Sequence, residues 1–224
     1  MGEENTTLTL ILQTAREEFL AKGFQGASLR SIVKKAGVTT GAFYRYYPTK
    51  EALFDALVKP AADAIRGCFA RGLREIRETP PEKQTEEMLH VSSDSLDQIL
   101  DYIYAGHYDA AKLLLCCAAG TSYENFVQEI VEQEVDATER YLDALRSLGH
   151  PVPELDRGLC QMISSGMFSG VFEMVVQDMN KEEAVKRIQY LKEFHIGGWE
   201  RILGVKFDSL EDIDGLHSDK ETTK

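Results

Sequence analysis

Residues 28–50 read SLRSIVKKAGVTTGAFYRYYPTK, and they decide the fold. Ser28 is a good N-cap, Leu29, Ile32, Val33 and Ala36 recur at helical spacing, and Gly37 suits a left-handed stop. Val38 is the apolar residue of a tight turn. Thr39 or Thr40 then caps a further helix, which must stop at Pro48. The residue before a proline is pushed out of helical geometry, so Tyr47 is its natural last member. At about 100° per residue, Phe43 and Tyr47 fall on one side of this helix, where they plug it onto its neighbours. Gly41, Ala42, Tyr44 and Arg45 spread over the other sides. One aromatic, one arginine and two very small residues form a surface that another body can approach closely. Two short helices at this spacing place the second in a DNA major groove. The plainer alternative is a small helical bundle with a solvated arginine.

Outward from this stretch, residues 1–7 are polar and expected to fray. Leu8, Ile11, Leu12, Ala15, Phe19 and Leu20 form a helical stripe that ends at Gly23, with Phe24 folding back on it. Thr49 caps a fourth helix over 49–77, whose inner face carries Leu53, Phe54, Leu57 and Val58. Pro60 falls inside that helix, where a kink is expected. Such a kink could couple the N-terminal head to the rest of the chain. Thr79-Pro80-Pro81 is a clear break.

AREEFLAKGFQGASLRSIVKKAG (15–37) and GVTTGAFYRYYPTKEALFDALV (37–58) resemble the DNA-binding segment of the TetR family of transcriptional regulators. The resemblance runs over about residues 8–58. Gly23-Phe24, Ser28, Ala36-Gly37-Val38, Gly41, Phe43-Tyr44, Tyr47, Lys50-Glu51 and Leu53-Phe54 carry it. It implies a set of DNA contacts. Ser28 and Arg30 would approach a phosphate, Thr39 and Thr40 would offer hydroxyls and N–H groups, and Gly41 would let the helix lie close. Tyr44, Arg45 and Tyr46 would touch phosphates or base edges, and Lys50 would pair with a phosphate. Arg45 is the best base reader, since arginine to guanine is the commonest specific contact. One departure is the segment 1–7, which holds Glu3 and Glu4 and no Lys or Arg, so a basic minor-groove arm is not expected.

The chain has 224 residues and a formal charge of −12. Its charge is uneven: residues 1–60 hold eight Lys/Arg against six Asp/Glu, leaving 17 against 31 for the rest. A mildly basic end on an acidic body can orient a molecule on a polyanion. The four cysteines, at 68, 116, 117 and 160, form no CxxC pair. With no secretory leader and no apolar run long enough to span a bilayer, reduced thiols, a cytoplasmic location and no membrane partner are expected.

Strand signals are scarce and helical spacing continues to the end, so the class is all-α. A helix over 82–104 buries Met88, Leu89, Leu96, Ile99, Leu100 and Ile103. Its His90, Asp94, Asp97 and Asp101 read as a solvated face; no metal-ligand spacing or cofactor motif is present, so neither a metal nor a cofactor is expected. Residues 108–119 form an apolar segment, and 123–148 a long helix burying Phe126, Ile130, Val131, Tyr141, Leu142 and Leu145. The last two helices cover 154–179 and 181–203. Gly166 and Gly170 thin one face of the first, so close packing should compensate their helix-weakening effect.

The resemblance implies that this last pair meets its twin in a homodimer, through Ile163, Gly166, Met167, Gly170, Met174, Ile188, Leu191, His195, Trp199 and Ile202; packing within one chain is the alternative. It also implies a small-molecule effector in the body. Candidate lining residues are the aromatic, sulfur-bearing or polar groups Tyr102, His107, Tyr108, Cys117, Tyr123, Phe126, Met167 and Phe172. The domains follow: a three-helix helix-turn-helix DNA-binding domain at 1–48, a larger helical ligand-binding and dimerisation domain at 49–204, and an acidic flexible tail at 205–224. The expected function is a ligand-responsive regulator, a repressor that binds a palindromic double-stranded operator as a dimer, and not an enzyme. Two alternatives are a thiol-based redox sensor and a helical enzyme using Cys117 and His107. Against the enzyme, no glycine loop for an oxyanion and no third residue to orient the histidine is apparent.

Overall fold

A computed structural model describes residues 2–207, so most of the expected acidic tail, 208–224, lies outside the described residues. Three helices form the head: α1 (Gly2–Gly26), α2 (Leu29–Lys35) and α3 (Thr40–Tyr44). The body consists of α4 (Lys50–Glu78), α5 (Pro81–Tyr102), a wide turn at Ile103–His107, α6 (Tyr108–Cys116), α7 (Phe126–Ser147), α8 (Arg157–Val176) and α9 (Lys181–Leu203). No strand occurs among the described residues.

The head is built on aromatic side chains. Phe19, Phe43 and Phe54 are fully buried. Phe19 meets Phe54 edge-on at 5.1 Å between ring centres, and Phe24 meets Phe54 at 5.3 Å. Gly23 makes this possible. Its φ of 68° and ψ of 170° bend α1 and swing Phe24 back inward, in a region a side chain would strain. Helical structure begins already at Gly2, where fraying was expected over 1–7.

Two local expectations change. Ser28 stands at the N-cap position of α2, but its side chain makes no capping hydrogen bond. The helix expected to reach Tyr47 ends at Tyr44, because the N–H groups of Arg45 and Tyr46 turn to the carbonyls three residues back, Ala42 and Phe43. Pro60 lies inside α4, which continues as one helix from Lys50 to Glu78. Pro60 and Ala56, whose carbonyl loses its bond, both lie on the exposed side, where water replaces the missing N–H.

In the body, α4 and α5 pack closely because Gly72 has no side chain: a Cβ there would lie 2.4 Å from Ser95 Oγ. Six turn residues precede α7, which starts at Phe126 rather than at 123. Asp156 caps α8 by accepting from Leu159 N at 2.8 Å. Gly204, with φ 68°, closes α9. Residues 205–207 do not leave as a tail. Val205 is buried, Phe207 N donates to Glu200 Oε1 at 3.0 Å, and Lys206 pairs with Glu200 at 2.9 Å.

Head and body share one continuous core. Phe24 N donates to Cys117 O at 2.9 Å, joining the bend of α1 to the end of α6. Tyr123 OH donates to Asp55 Oδ1 at 2.5 Å, and Arg66 reaches Glu129 at 2.6 Å. By length and composition α8 is apolar enough to cross a membrane, with a mean hydropathy of 1.4 over its most apolar stretch, 39% of which is buried. Its covered side packs on α6, α7 and α9 through residues such as Val171, Phe172 and Val175.

Candidate nucleic-acid interface

The outer side of α3 is set by what holds its inner side. Phe43 is completely buried, and Tyr47 lies half-buried with its ring 6.4 Å from that of Phe43. Thr39 Oγ1 accepts from Ala42 N at 3.1 Å, fixing the first turn. Thr40, Gly41, Tyr44 and Arg45 are then exposed, Tyr44 to 51%. Ser28 and Arg30 are exposed at the start of α2. Tyr46 differs from its expected outward pose and packs half-buried on the core. A Cβ added to Gly41 would meet nothing within 4 Å, so packing within the chain does not require glycine there.

Lys50 also differs from expectation. Its ammonium turns inward, donating to Phe24 O at 2.7 Å and Ala27 O at 3.1 Å and lying 4.3 Å from the Phe24 ring centre. These carbonyls belong to the bend between α1 and α2, so Lys50 staples the start of α4 to that corner. Sequence spacing alone could not show this, since the acceptors are backbone atoms more than twenty residues away.

Glu18 organises the charges behind this face. Its carboxylate accepts from Lys22 at 2.6 Å, Lys35 at 2.8 Å and Ser31 at 3.1 Å, tying α1 to α2. The Lys22 and Lys35 ammonium groups hold its pKa down at about 2.

A second site lies in the body. An apolar cavity of about 150 Å³ opens between α4, α5, α7, α8 and α9, with Leu73, Met88, Leu96, Tyr141, Met167 and Trp199 among its walls. Lys192, His195 and Glu134 bring polar groups to it. Of the eight residues expected to line a pocket, Met167 is on the wall of this cavity, and the other seven lie elsewhere. Tyr102 and His107 stack on each other at 4.1 Å across the wide turn. Tyr108 OH donates to Val175 O at 3.2 Å, tying α6 to α8. Cys117, Tyr123, Phe126 and Phe172 belong to the core. These residues knit helices together, and their types do not distinguish that task from lining a cavity.

The residues expected at a dimer interface divide. Met174 and Ile188 are buried within the chain. Leu191 packs where a Cβ on Gly170 would stand, at 2.9 Å, so Gly170 serves α8–α9 contact inside one chain. Met167, His195 and Trp199 line the cavity. Ile163 is half-buried, while Gly166 and Ile202 remain exposed. They are joined by exposed Met162 (73%), Tyr190 and Phe194 (75%), which the expectation omitted.

The polar face of α5 is taken up by ion pairs: Asp97 with Lys192 and Asp101 with Lys181, both at 2.8 Å. Among the described residues no group of His, Cys, Asp or Glu is placed to hold a metal. Burial pushes the Cys116 and Cys117 thiols up in pKa, the opposite of what an activated thiolate needs.

A buried-backed short helix after a tight turn, with an exposed outer face, defines a helix-turn-helix protein with a helical body. Residues 11–57 match the family model for bacterial regulatory proteins of the tetR family. Over 56 residues the chain is 41% identical to the HTH-type transcriptional regulator YdgC of Bacillus subtilis and 39% identical to UidR of Escherichia coli. Each match covers 25% of this chain and 29% of the relative, so it spans under a third of those relatives' length. Among solved structures, SCO3833 of Streptomyces coelicolor is similar with a TM-score of 0.54 at 17% identity, over 84% of this chain and 90% of that one. NalD of Pseudomonas aeruginosa, the secondary repressor of a multidrug efflux pump, gives 0.51 at 20%, over 85% and 96%. These likenesses extend the common fold through the body. Over residues 11–57, about a fifth of the chain, the N-terminal segment is thus similar to the tetR family of bacterial regulatory proteins.

Proposed function

We propose that the protein is a cytoplasmic, ligand-responsive transcriptional regulator that binds a palindromic double-stranded operator as a homodimer. The observation that carries this reading is the outer side of α3. Gly41 has no neighbour within its own chain to require it, and it stands between exposed Thr40 and exposed Tyr44 and Arg45. Glycine there lets a backbone approach a duplex, while the threonines, Tyr44, Ser28 and Arg30 position the helix on phosphates and Arg45 reads a base edge.

A helix-turn-helix head reads a two-fold site through a two-fold protein. The exposed apolar side of α8 and α9, with Met162, Gly166, Phe194 and Ile202, is the surface a second copy would cover. The body cavity is the effector site. An effector that prefers the state with its heads misplaced for DNA would release the operator, and repression is the simplest output of such a release. UidR and YdgC, matched over the head, are named as transcriptional regulators.

Footprinting and band-shift titration against palindromes beside the protein's own gene test the reading. Salt-sensitive, sequence-specific protection of a two-fold site is expected. Binding that is absent, or equal on all sequences, overturns it.

A further inference from the structure

The cavity holds one polar group whose charge no other described residue answers. Lys192 is matched: its Nζ donates to Asp97 Oδ1 at 2.8 Å and to Ser93 Oγ at 2.9 Å. His195 is shifted by burial toward its neutral form. Tyr141 OH is engaged with Thr85 at 2.8 Å. Glu134, on the α7 wall, has no hydrogen-bond or ion-pair partner among the described residues, and it shares the cavity walls with Leu73, Ile76, Leu96 and Met167 and with the hydroxyl-bearing Ser92 and Thr138. Burial alone raises its pKa, to about 7, with no charged group contributing. A carboxyl in an apolar cavity without a partner weakens the fold unless something answers it.

We propose that the cavity takes a small lipophilic cation, an ammonium group on an apolar body, with Glu134 as the anion that receives it. This rests on the cavity being the effector site. An anionic ligand would have to draw Lys192 away from Asp97 and Ser93, and it would meet Glu134 unfavourably. A neutral ligand would fill the volume and at best donate a hydrogen bond, leaving the charge of Glu134 unanswered. The volume sets the scale: an apolar cavity of about 150 Å³ holds a benzene-sized group. The side chain of Trp199, the single tryptophan of the chain, is on the wall and reports occupancy directly.

The test is a fluorescence titration of the full-length protein at pH 7.5 with three ligands of one shape: benzylamine, benzyl alcohol and phenylacetate. Benzylamine is expected to bind about tenfold or more tightly than benzyl alcohol, as for a hydrogen bond to a charged group. Glu134→Gln should reduce benzylamine to the level of the alcohol and leave the alcohol unchanged. Thermal melting of the variant checks that it is folded. If the alcohol or phenylacetate binds wild type as well as the amine does, the cation proposal fails and the cavity remains a ligand site. If Glu134→Gln keeps the preference for the amine, the assignment to Glu134 fails. If none of the three shifts Trp199 emission, the cavity is not a ligand site, and the effector reading fails with it.

Discussion

Lys50 Nζ lies 2.7 Å from the carbonyl oxygen of Phe24 and 4.3 Å from the centre of that residue's ring. One ammonium thus holds both the backbone and the side chain of the residue that follows the Gly23 bend. Lys50→Met keeps the apolar stem and removes the charge. It is expected to cost about 1–3 kcal/mol of stability, the range for hydrogen bonds to a charged donor. Thermal unfolding measures this. If DNA affinity falls while the melting temperature stays at the wild-type value, Lys50 acts on phosphate and the staple contributes little.

Arg45→Ala should behave in the opposite way. The side chain is exposed at the end of α3, so stability should change little. Specific operator affinity should fall by about 1–3 kcal/mol, with relaxed preference at one base position. Competition with non-specific duplex separates this from a general loss of affinity.

Glu18 makes stability fall in acid. Its pKa is about 2 in the folded protein, held down by Lys22 and Lys35, against about 4.3 in an unfolded chain. A depressed carboxylate pKa stabilises the fold above the unfolded value, and the contribution is lost as pH falls from about 4.5 toward 2. The two lysines are half exposed, so after solvent screening the effect is about 1–2 kcal/mol. Glu18→Gln should therefore flatten the melting-temperature profile in this window and lower it at neutral pH.

The head and the cavity differ in how far the sequence revealed them. Phe19, Phe43 and Phe54 sit on the inner faces of helices separated by Gly23, Gly37 and Pro48, and local chemistry at those stops fixes where the chain turns. The buried faces of α5 and α7 were legible for the same reason, with Leu89, Leu96, Ile99, Ile130 and Leu142 all inside. The cavity was not, because five helices leave it as unfilled volume, and no pattern along one helix encodes a void. Tyr102, Tyr108 and Tyr123 looked like pocket residues because they are amphipathic. Such side chains equally serve to tie elements together, and two of them do so through their hydroxyls, Tyr108 joining α6 to α8 and Tyr123 joining the turn before α7 to α4.

Glu134→Gln should stabilise the protein, and more so at higher pH. The carboxyl is raised to about 7 by burial. A raised carboxyl pKa leaves stability intact below the unfolded value and costs stability as pH rises through the folded value. At pH 8 the glutamine variant is expected to gain about 2 kcal/mol, and at pH 4 close to nothing. Paired melts at the two pH values decide it; equal gains at both would mean that Glu134 is not titrating in the fold.

Phe194→Asp combined with Met162→Asp should give a monomer. Both residues are about three-quarters exposed on the α8–α9 side, so the isolated fold loses little by the change. Sedimentation should show wild type as a dimer and the variant as half its mass, with operator affinity reduced by orders of magnitude. A variant that remains dimeric places the second copy elsewhere.

The unbroken course of α4 past Pro60 has a mechanical consequence. Its first residue, Lys50, is fastened to the head, and Leu73 and Ile76 near its other end touch the cavity. Ile76 lies 26 residues from Lys50 along α4, about 39 Å at 1.5 Å per residue, so a tilt of about 6° at the cavity end would move the head by about 4 Å. That exceeds the 3.4 Å rise of one base step. A ligand no larger than an aromatic amine could then put two heads out of step with their half-sites without unfolding a single turn.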